Sequence, residues 1–600
     1  MTAIPKRSDI PKEHQWDLSP LFETTEAWEA LFAKTEAKIP QYETFPGTLS
    51  ASAQRIEEAI AFDLEVNRDL EKLYTWAHLK NDTDKTDALY DGLYQRAVNL
   101  YTRIAQASSF FTPELQAIDE ETMAGYMEEP CLKPYRFFLE KILRYKPHTR
   151  SAEVEELLAM SAEALGTPSR VFSQLDNADL RFGTITDENG LEHELSHGNF
   201  VAFLMNPHRS VRKKAFHTYY KAYESHKHTI ASALSGSIKK DLFISKSKRF
   251  ENTMARSLFA DDVDKSVYTN LIGSVRDGLP ALFDYLNLRK EVLDVEELHF
   301  YDTYVPLASD VDFHMDYEEA CEVTLASLAP LGESYVETLR KGLFGGWVDR
   351  YENRGKRSGA YSSGCYDSPP YILLNHDPKS INSLFTLAHE AGHSMHSHYS
   401  KGTQPYIYGD YTIFVAEVAS TLNEALLGKY LLEKYKGDKK METFILNREI
   451  DNIRGTLFRQ TMFAEFEMRI HGQAAENKPV TLESLTGLYA ELLADYFGET
   501  MTVDEELKLE CLRIPHFYSA FYVYKYATGI SAALDIASRI IKGEAGAVDD
   551  YKTFLTLGGS MFPVDELKVA GVDMSKPQAV QSTVAHFKGL VDELKSILKR

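Results

Sequence analysis

Two histidines and a glutamate in residues 381–402 have types and spacing that suit metal chemistry. His389, Glu390 and His393 form an HExxH pattern. On a helix, positions i and i+4 share one face and lie about 6 Å apart along the axis. Two imidazoles can then bind one zinc ion, with the intervening glutamate directed at the water on that ion. The pattern predicts hydrolysis by a metal-activated water, with Glu390 as general base.

The chain contains a second HExxH, which begins at His193 and ends at His197. We predict a β-hairpin over 180–198, because Asn189 and Gly190 suit the positive φ angles of a tight turn. In a strand these two histidines would lie about 13 Å apart, too far to share one ion. We therefore predict no metal at this copy.

A third protein ligand is expected, since catalytic zinc sites keep three protein ligands and one open position. Glu417 lies 24 residues after His393, on a helix predicted over 413–435, and the loop at 399–412 is long enough to bring that helix antiparallel to the first. Position 221, at the same interval after His197, is a lysine. Glu424 lies two turns further along the same face, where we expect it to orient a histidine through its other ring nitrogen.

Other reactive side chains near the motif receive structural interpretations. His396 lies about 10.5 Å along the axis from His389, too far to bind the same ion. We predict a second-layer or packing role for it and no metal role for His398. Cys365 lacks the histidine partner of a thiol peptidase, and Lys356 with Arg357 is interpreted as an exposed basic turn.

The elements that must position this site are mostly helical. Apolar residues recur every three or four positions, as in 54–79, through most of the chain. The exceptions are the hairpin, a possible strand over 296–307, and two strand segments over 360–375 just before the metal helix. An exposed strand edge there could pair with an extended peptide. The predicted fold class is mainly α, with a small β-sheet next to the zinc helix.

Composition excludes several function classes. The formal net charge of −23 disfavours nucleic acid as a partner. No run approaches the roughly 18 apolar residues of a membrane helix, and the first 20 residues lack the features of a secretory signal. The four cysteines form neither a disulfide framework nor a metal pair. We expect a cytoplasmic protein without membrane partners.

The sequence resembles the oligoendopeptidase F group of the thimet-oligopeptidase-like zinc peptidases. The resemblance extends along nearly the whole chain and rests on five segments: FTLAHEAGHSMHSH (385–398), FVAEVASTLNE (414–424), SGAYSSGCYDSPPYILLN (358–375), KEHQWDLSPLF (12–22) and PHFYSAFYVYKYATG (515–529). It implies two helical lobes that enclose a deep channel, which admits short unstructured peptides and excludes folded proteins.

The resemblance also implies roles for individual residues. His389, His393 and Glu417 would hold one zinc ion per chain, and Glu390 would be the general base. His516 and Tyr524 would stabilise the transition state, while Tyr518, Tyr522 and Tyr526 are further hydroxyls in the same segment.

The domain division expected on this basis places an N-terminal helical lobe, ending in the hairpin, at 1–198. A catalytic metallopeptidase domain would occupy 199–600.

Three functions are compatible with these observations. The first is a zinc endopeptidase that cuts internal bonds of short peptides. A zinc exopeptidase, dipeptidase or carboxypeptidase-like, differs by a blocked channel. A non-catalytic peptide-binding scaffold is the third, although the intact set His389, Glu390, His393 and Glu417 favours an enzyme.

Overall fold

The computed structural model describes residues 4–308, 311 and 313–599, and these are predominantly helical. The described residues contain the following α-helices: α1 Thr25–Glu36, α2 Ala53–Thr83, α3 Ala88–Ala107, α4 Phe111–Ala117, α5 Glu120–Met127, α6 Arg136–Leu143, α7 Ala152–Leu165, α8 Thr167–Gln174, α9 His197–Leu204, α10 Arg209–Ser247, α11 Thr253–Phe259, α12 Lys265–Asp277, α13 Leu279–Val292, α14 Tyr317–Ser327, α15 Glu333–Phe344, α16 Ile381–Thr403, α17 Ile413–Lys434, α18 Lys439–Ile453, α19 Arg459–Ala475, α20 Leu482–Phe497, α21 Glu510–Arg513, α22 Tyr524–Ile541, α23 Ala547–Leu555, α24 Pro563–Val569 and α25 Gln578–Lys599. The predicted fold class, mainly α, is confirmed.

In the part of the chain that the structure describes, five short strands form two small sheets. The strands are β1 Thr184–Thr186, β2 Glu192–Glu194, β3 Val348–Asp349, β4 Tyr361–Ser363 and β5 Tyr371–Leu373. The first two pair antiparallel, with Ile185 opposite His193, and Gly190 between them has a φ of +81°. The predicted hairpin is therefore confirmed, but its second strand ends at Glu194, so the prediction that His197 also lies in this strand is wrong.

The second sheet has the order β3-β5-β4, so β4 is an edge strand. It pairs antiparallel with β5, with Ser362 opposite Ile372. One of its faces packs against α16, where the Ser362 and Ser394 hydroxyl oxygens lie 2.8 Å apart. The small sheet predicted beside the metal helix is confirmed.

The chain divides into two compact units, each assembled from three segments. The first contains Met1–Pro147, Asp312–Leu427 and Ile536–Gly571. The second contains His148–Val311, Gly428–Asp535 and Val572–Arg600. The division predicted at residue 198 stays a prediction.

The suggestion of a strand at 296–307 is wrong. This segment forms a short 3-10 helix, Phe300–Asp302, and its only β-contact among the described residues is a single bridge between His299 and Thr502. The cause is Asp302, a buried carboxylate that accepts hydrogen bonds from Arg209 and Arg212 and from the backbone N–H of His299. A carboxylate with charged partners stabilises a turn that the aromatic composition does not indicate.

The prediction of an exposed basic turn is wrong for Lys356 and confirmed for Arg357. The Lys356 side chain is fully buried, with Nζ 2.7 Å from Asp349 Oδ1, and it also donates to the backbone carbonyls of Tyr351 and Leu374. The Arg357 side chain is 52% exposed. Lys356 thus joins the loop to the sheet and is not available to a peptide carboxylate.

Within the described part of the chain, none of the helices combines the length and the apolar character needed to cross a membrane.

Candidate metal centre

The candidate metal centre lies in the first unit, where α16 and α17 pack closely. The predicted apolar face of α16 is buried, including Leu384 and Met395. Gly392 permits the close approach, since a Cβ atom there would lie 2.5 Å from Ser420 Cα and 2.6 Å from the Ala419 carbonyl oxygen. Asn423 Nδ2 donates to the Ala388 carbonyl oxygen across the same interface, at 3.0 Å. The two helices therefore meet at the level of the histidines.

Three side chains converge from these helices. His389 Nε2 lies 3.2 Å from His393 Nε2, and Glu417 Oε2 lies 3.3 Å from the first nitrogen and 3.5 Å from the second. Ser420 Oγ donates a hydrogen bond to the same carboxylate oxygen, at 3.0 Å. Two imidazole nitrogens and one carboxylate oxygen make a donor set that suits zinc. Among the described residues, this is the group of three that meets metal-ligand distances.

Glu424 lies where the sequence predicts. Its Oε1 is 2.8 Å from His389 Nδ1, so it binds the ring nitrogen that faces away from Glu417. Burial opposes a charge on His389, but hydrogen bonds to Glu417 and Glu424 outweigh it and raise the pKa of His389 to about 10. A carboxylate on Nδ1 orients the ring and leaves Nε2 for a metal ion.

Glu390 is buried beside this group, at 7% exposure. Burial raises the pKa of its carboxyl above the usual range, while the neighbouring imidazoles His389 and His393 lower it. A hydrogen bond from the backbone N–H of Ser362, on β4, also favours the carboxylate form. The edge strand therefore lies directly beside the predicted general base.

The remaining reactive residues near the motif have other surroundings. His396 is 1% exposed and stacks on Tyr411 at a centroid distance of 3.6 Å. His398 is exposed near Trp347, 6.1 Å between ring centroids. Cys365 is a buried free thiol, and burial raises its pKa to about 11, which disfavours the nucleophilic thiolate.

The second HExxH does not bring its histidines to one point. His193 Nε2 lies 2.9 Å from Asp187 Oδ2 within the hairpin. His197 begins α9, and its ring nitrogens lie 2.7 Å from the Tyr219 hydroxyl and 2.9 Å from the Asp176 carbonyl oxygen. Each imidazole is satisfied by its own neighbours.

His516 and Tyr524 lie in the second unit, in different surroundings. His516 is partly exposed, and its Nε2 is 3.3 Å from the Tyr526 hydroxyl. Tyr524 has no exposed surface, packs 5.1 Å from Tyr268, and has its pKa raised by burial. Within this unit, Tyr526 lies beside His516, whereas Tyr524 lies in the core.

Two contributors to the centre were missed by sequence reasoning. Gly392 has a signal in the motif, because a glycine inside a helix indicates close approach of another backbone. Tyr411 gives no such signal. Its hydroxyl lies 3.4 Å from the His393 carbonyl oxygen and 3.0 Å from Ser397 Oγ, which only the fold brings together.

The chain is similar to known proteins along its length. The sequence matches the family described as Peptidase family M3 over residues 202–586, and the one described as Oligopeptidase F over 114–182. It is 45% identical to Oligopeptidase PepF of Bacillus subtilis, over all of this chain and 89% of that protein. It is 42% identical to an oligoendopeptidase F homologue of Borreliella burgdorferi, over 99% of this chain and 100% of that protein.

Two solved structures are also similar to this chain over nearly its whole length. A structure described as a peptidase of Chlamydophila abortus matches with a TM-score of 0.94 and 38% identity, over 99% of this chain and 100% of that one. Oligoendopeptidase F of Enterococcus faecium matches with a TM-score of 0.74 and 35% identity, over 96% and 99%.

Proposed function

Because the chain belongs to peptidase family M3, in its oligoendopeptidase F group of metalloendopeptidases, we propose that it is a zinc-dependent enzyme that hydrolyses internal bonds of short, unstructured peptides. The observation that carries the proposal is the convergence of His389, His393 and Glu417 beside the buried Glu390. One zinc ion per chain would bind these three residues.

The metal supplies electrophilic chemistry when bound: it lowers the pKa of a water ligand and polarises the scissile carbonyl. Glu390 takes a proton from the attacking water and transfers it to the departing amine. Its buried position suits both steps, since a raised pKa makes the carboxylate a stronger base in the first step and keeps the proton on the acid until the amine takes it. Glu424 holds the His389 ring throughout the cycle.

The substrate backbone would pair with β4. This strand has one neighbour in its sheet, β5, and Ser362 on it is close to both Glu390 and α16. An extended peptide added to a strand edge gains backbone hydrogen bonds whatever its sequence. This mode suits an enzyme that acts on unstructured chains.

Stabilisation of the transition state is assigned to His516 and Tyr524, on the resemblance alone. His516 is partly exposed, which suits contact with a substrate. Its Nε2 lies 3.3 Å from the Tyr526 hydroxyl. The buried Tyr524 hydroxyl would need to become accessible, so Tyr526 is the alternative tyrosine for this role. Comparison of Tyr524→Phe with Tyr526→Phe distinguishes the two, since only the acting residue should lower kcat more than it raises KM.

We also propose that the enzyme works in the cytoplasm. All four cysteines are free thiols, and three of them are buried. Unpaired cysteines are usual in a reducing compartment.

The decisive experiment is mass spectrometry of the products from unstructured peptides of increasing length, with one folded protein and a chelator-treated control. We expect internal cuts, confined to the short peptides and abolished by the chelator. Removal of terminal residues alone would indicate an exopeptidase. Absence of cleavage by zinc-loaded protein would favour the binding scaffold.

A further inference from the structure

Phe521 adopts a backbone conformation that is rare for its residue type. It lies between the short 3-10 helix Pro515–Tyr518 and the start of α22 at Tyr524, and its φ is +58°. Residues other than glycine are disfavoured in this left-handed region, because their Cβ atom comes too close to the backbone. Such a residue persists only where surrounding contacts hold it, often near a functional site.

Glu467, on α19, makes one of these contacts. Its Oε1 accepts a hydrogen bond from the backbone N–H of Phe521, at 2.8 Å. The side chain is 1% exposed, and Oε2 has no hydrogen-bond partner among the described residues. Burial raises the pKa of Glu467 well above its usual value, while the hydrogen bond from the Phe521 backbone N–H lowers it.

The rings of two further residues pack near the Phe521 ring. Tyr268 and His471 lie 5.6 Å and 5.1 Å from the Phe521 ring, between centroids. Tyr268 donates a hydrogen bond to the Ala464 carbonyl oxygen of α19, at 2.6 Å. The turn is therefore joined to α19 by a hydrogen bond from the Phe521 N–H to Glu467 and by ring packing.

The turn determines where the following tyrosines lie. Tyr522 and Tyr526 lie 6.0 Å and 5.7 Å from the His516 ring, between centroids. These residues flank Phe521 in sequence, so a change in its backbone angles would move the tyrosines relative to His516.

We propose that Glu467 is a positioning residue of the peptidase, which holds the Phe521 turn so that His516 and the tyrosines after it keep the arrangement that meets the transition state. The inference rests on the proposed function, through the role given to this segment. It adds a residue whose hydrogen bond goes to the backbone of the segment.

The test compares Glu467→Gln with Glu467→Met. Glutamine keeps a carbonyl oxygen at the same reach, and we expect its kcat to stay within about threefold of the wild type. Methionine fills a similar volume without an acceptor. We expect its kcat to fall about 30-fold or more with KM changed less than about threefold, because the lost arrangement serves the transition state.

Glu465→Met is the matched control. Glu465 lies on the same helix, is 5% exposed, and accepts hydrogen bonds from Arg276 and Tyr496. Its replacement should lower the melting temperature at least as much as Glu467→Met while kcat stays near the wild-type value. Zinc content should be unchanged in all three variants.

Hydrogen–deuterium exchange of the peptide containing residues 521–526 gives a readout that does not need activity. We expect faster exchange in Glu467→Met only. Wild-type exchange in that variant, an equal kcat loss in Glu467→Gln, or a kcat no lower than that of Glu465→Met would overturn the proposal. Failure of the wild type to cleave any peptide would instead refute the proposed function, and the exchange data would still show whether Glu467 holds the turn.

Discussion

His389 shows how a single side chain is prepared for metal binding. Its Nδ1 faces Glu424 Oε1 at 2.8 Å, and its Nε2 faces Glu417 and His393. A carboxylate partner on one ring nitrogen selects the tautomer that offers the other nitrogen to a cation and makes it a stronger ligand. Metal affinity should therefore depend on a residue that is not itself a ligand.

Glu424→Gln tests this dependence. We expect zinc to bind about 10- to 100-fold more weakly, because an amide orients the ring without supporting its basicity. Competition with a chromogenic chelator measures the affinity. Glu433→Gln, an exposed carboxylate on the same helix, is the control and should bind as the wild type does. Equal affinity in both variants would show that Glu424 only packs.

Glu390→Gln separates metal binding from proton transfer. We expect wild-type zinc content and melting temperature, with kcat lower by about two to four orders of magnitude, because the amide cannot accept a proton. Single-turnover hydrolysis of a fluorogenic peptide measures the loss, and metal analysis checks the content. Substantial residual turnover would mean that another group is the base.

At the scale of elements, the centre depends on how closely α16 and α17 approach. Gly392 allows this approach, and the hydrogen bond from Asn423 to the Ala388 carbonyl oxygen holds it. The metal ligands come from both helices, so separation of the helix axes would move Glu417 away from the histidines. Packing at a residue without functional groups thus determines the ligand geometry.

Gly392→Ala should disturb both stability and metal binding. A Cβ atom 2.5 Å from Ser420 Cα requires the helices to move, and overpacking of this kind destabilises by about 1–3 kcal/mol. Gly402→Ala, on the same helix with no atom within 4 Å of its Cβ, is the control and should be neutral or slightly stabilising. Thermal unfolding and zinc titration measure both effects. Wild-type zinc affinity in Gly392→Ala would show that the interface tolerates separation.

At the scale of the whole molecule, each unit contains a histidine buried in an aromatic environment. His396 in the first unit is 1% exposed and His471 in the second is 5% exposed. Burial lowers the pKa of each to about 3. An unfolded histidine titrates near 6.5, so between about pH 6.5 and 3 the unfolded chain binds more protons. The free energy of unfolding should therefore fall as pH falls through this range.

His396→Phe should make the protein less sensitive to acid. Phenylalanine keeps a ring to stack on Tyr411 and binds no proton, so a contribution of up to about 1.4 kcal/mol per pH unit disappears. Urea midpoints of the variant and the wild type at pH 7 and pH 5 measure the change. An equal shift of the midpoint in both proteins would contradict the assignment.

Much of the fold and the site could be predicted from local sequence. The metal helix, the helix of Glu417, the hairpin at Gly190 and the strands before α16 follow from periodicity and turn residues, which act within a few positions. Sequence also predicts Glu424, because two turns of a helix place it on the face of Glu417. Local sequence misjudges 296–307 and Lys356, where a buried charge and its distant partners outweigh local preference.

The sequence by itself determined the residue types at the candidate centre, the place of Glu390 between the two histidines and the helical frame that spaces them. Only the tertiary structure decided whether the candidate ligands meet, because the distances of 3.3 Å and 3.5 Å from Glu417 to His389 and His393 depend on how α16 and α17 pack. The tertiary structure also decided which residues position the candidate functional residues, such as Gly392, Tyr411 and Glu467. Their contacts join residues far apart in the chain, and of these three only Gly392 has a signal in the local sequence, as a glycine inside a helix.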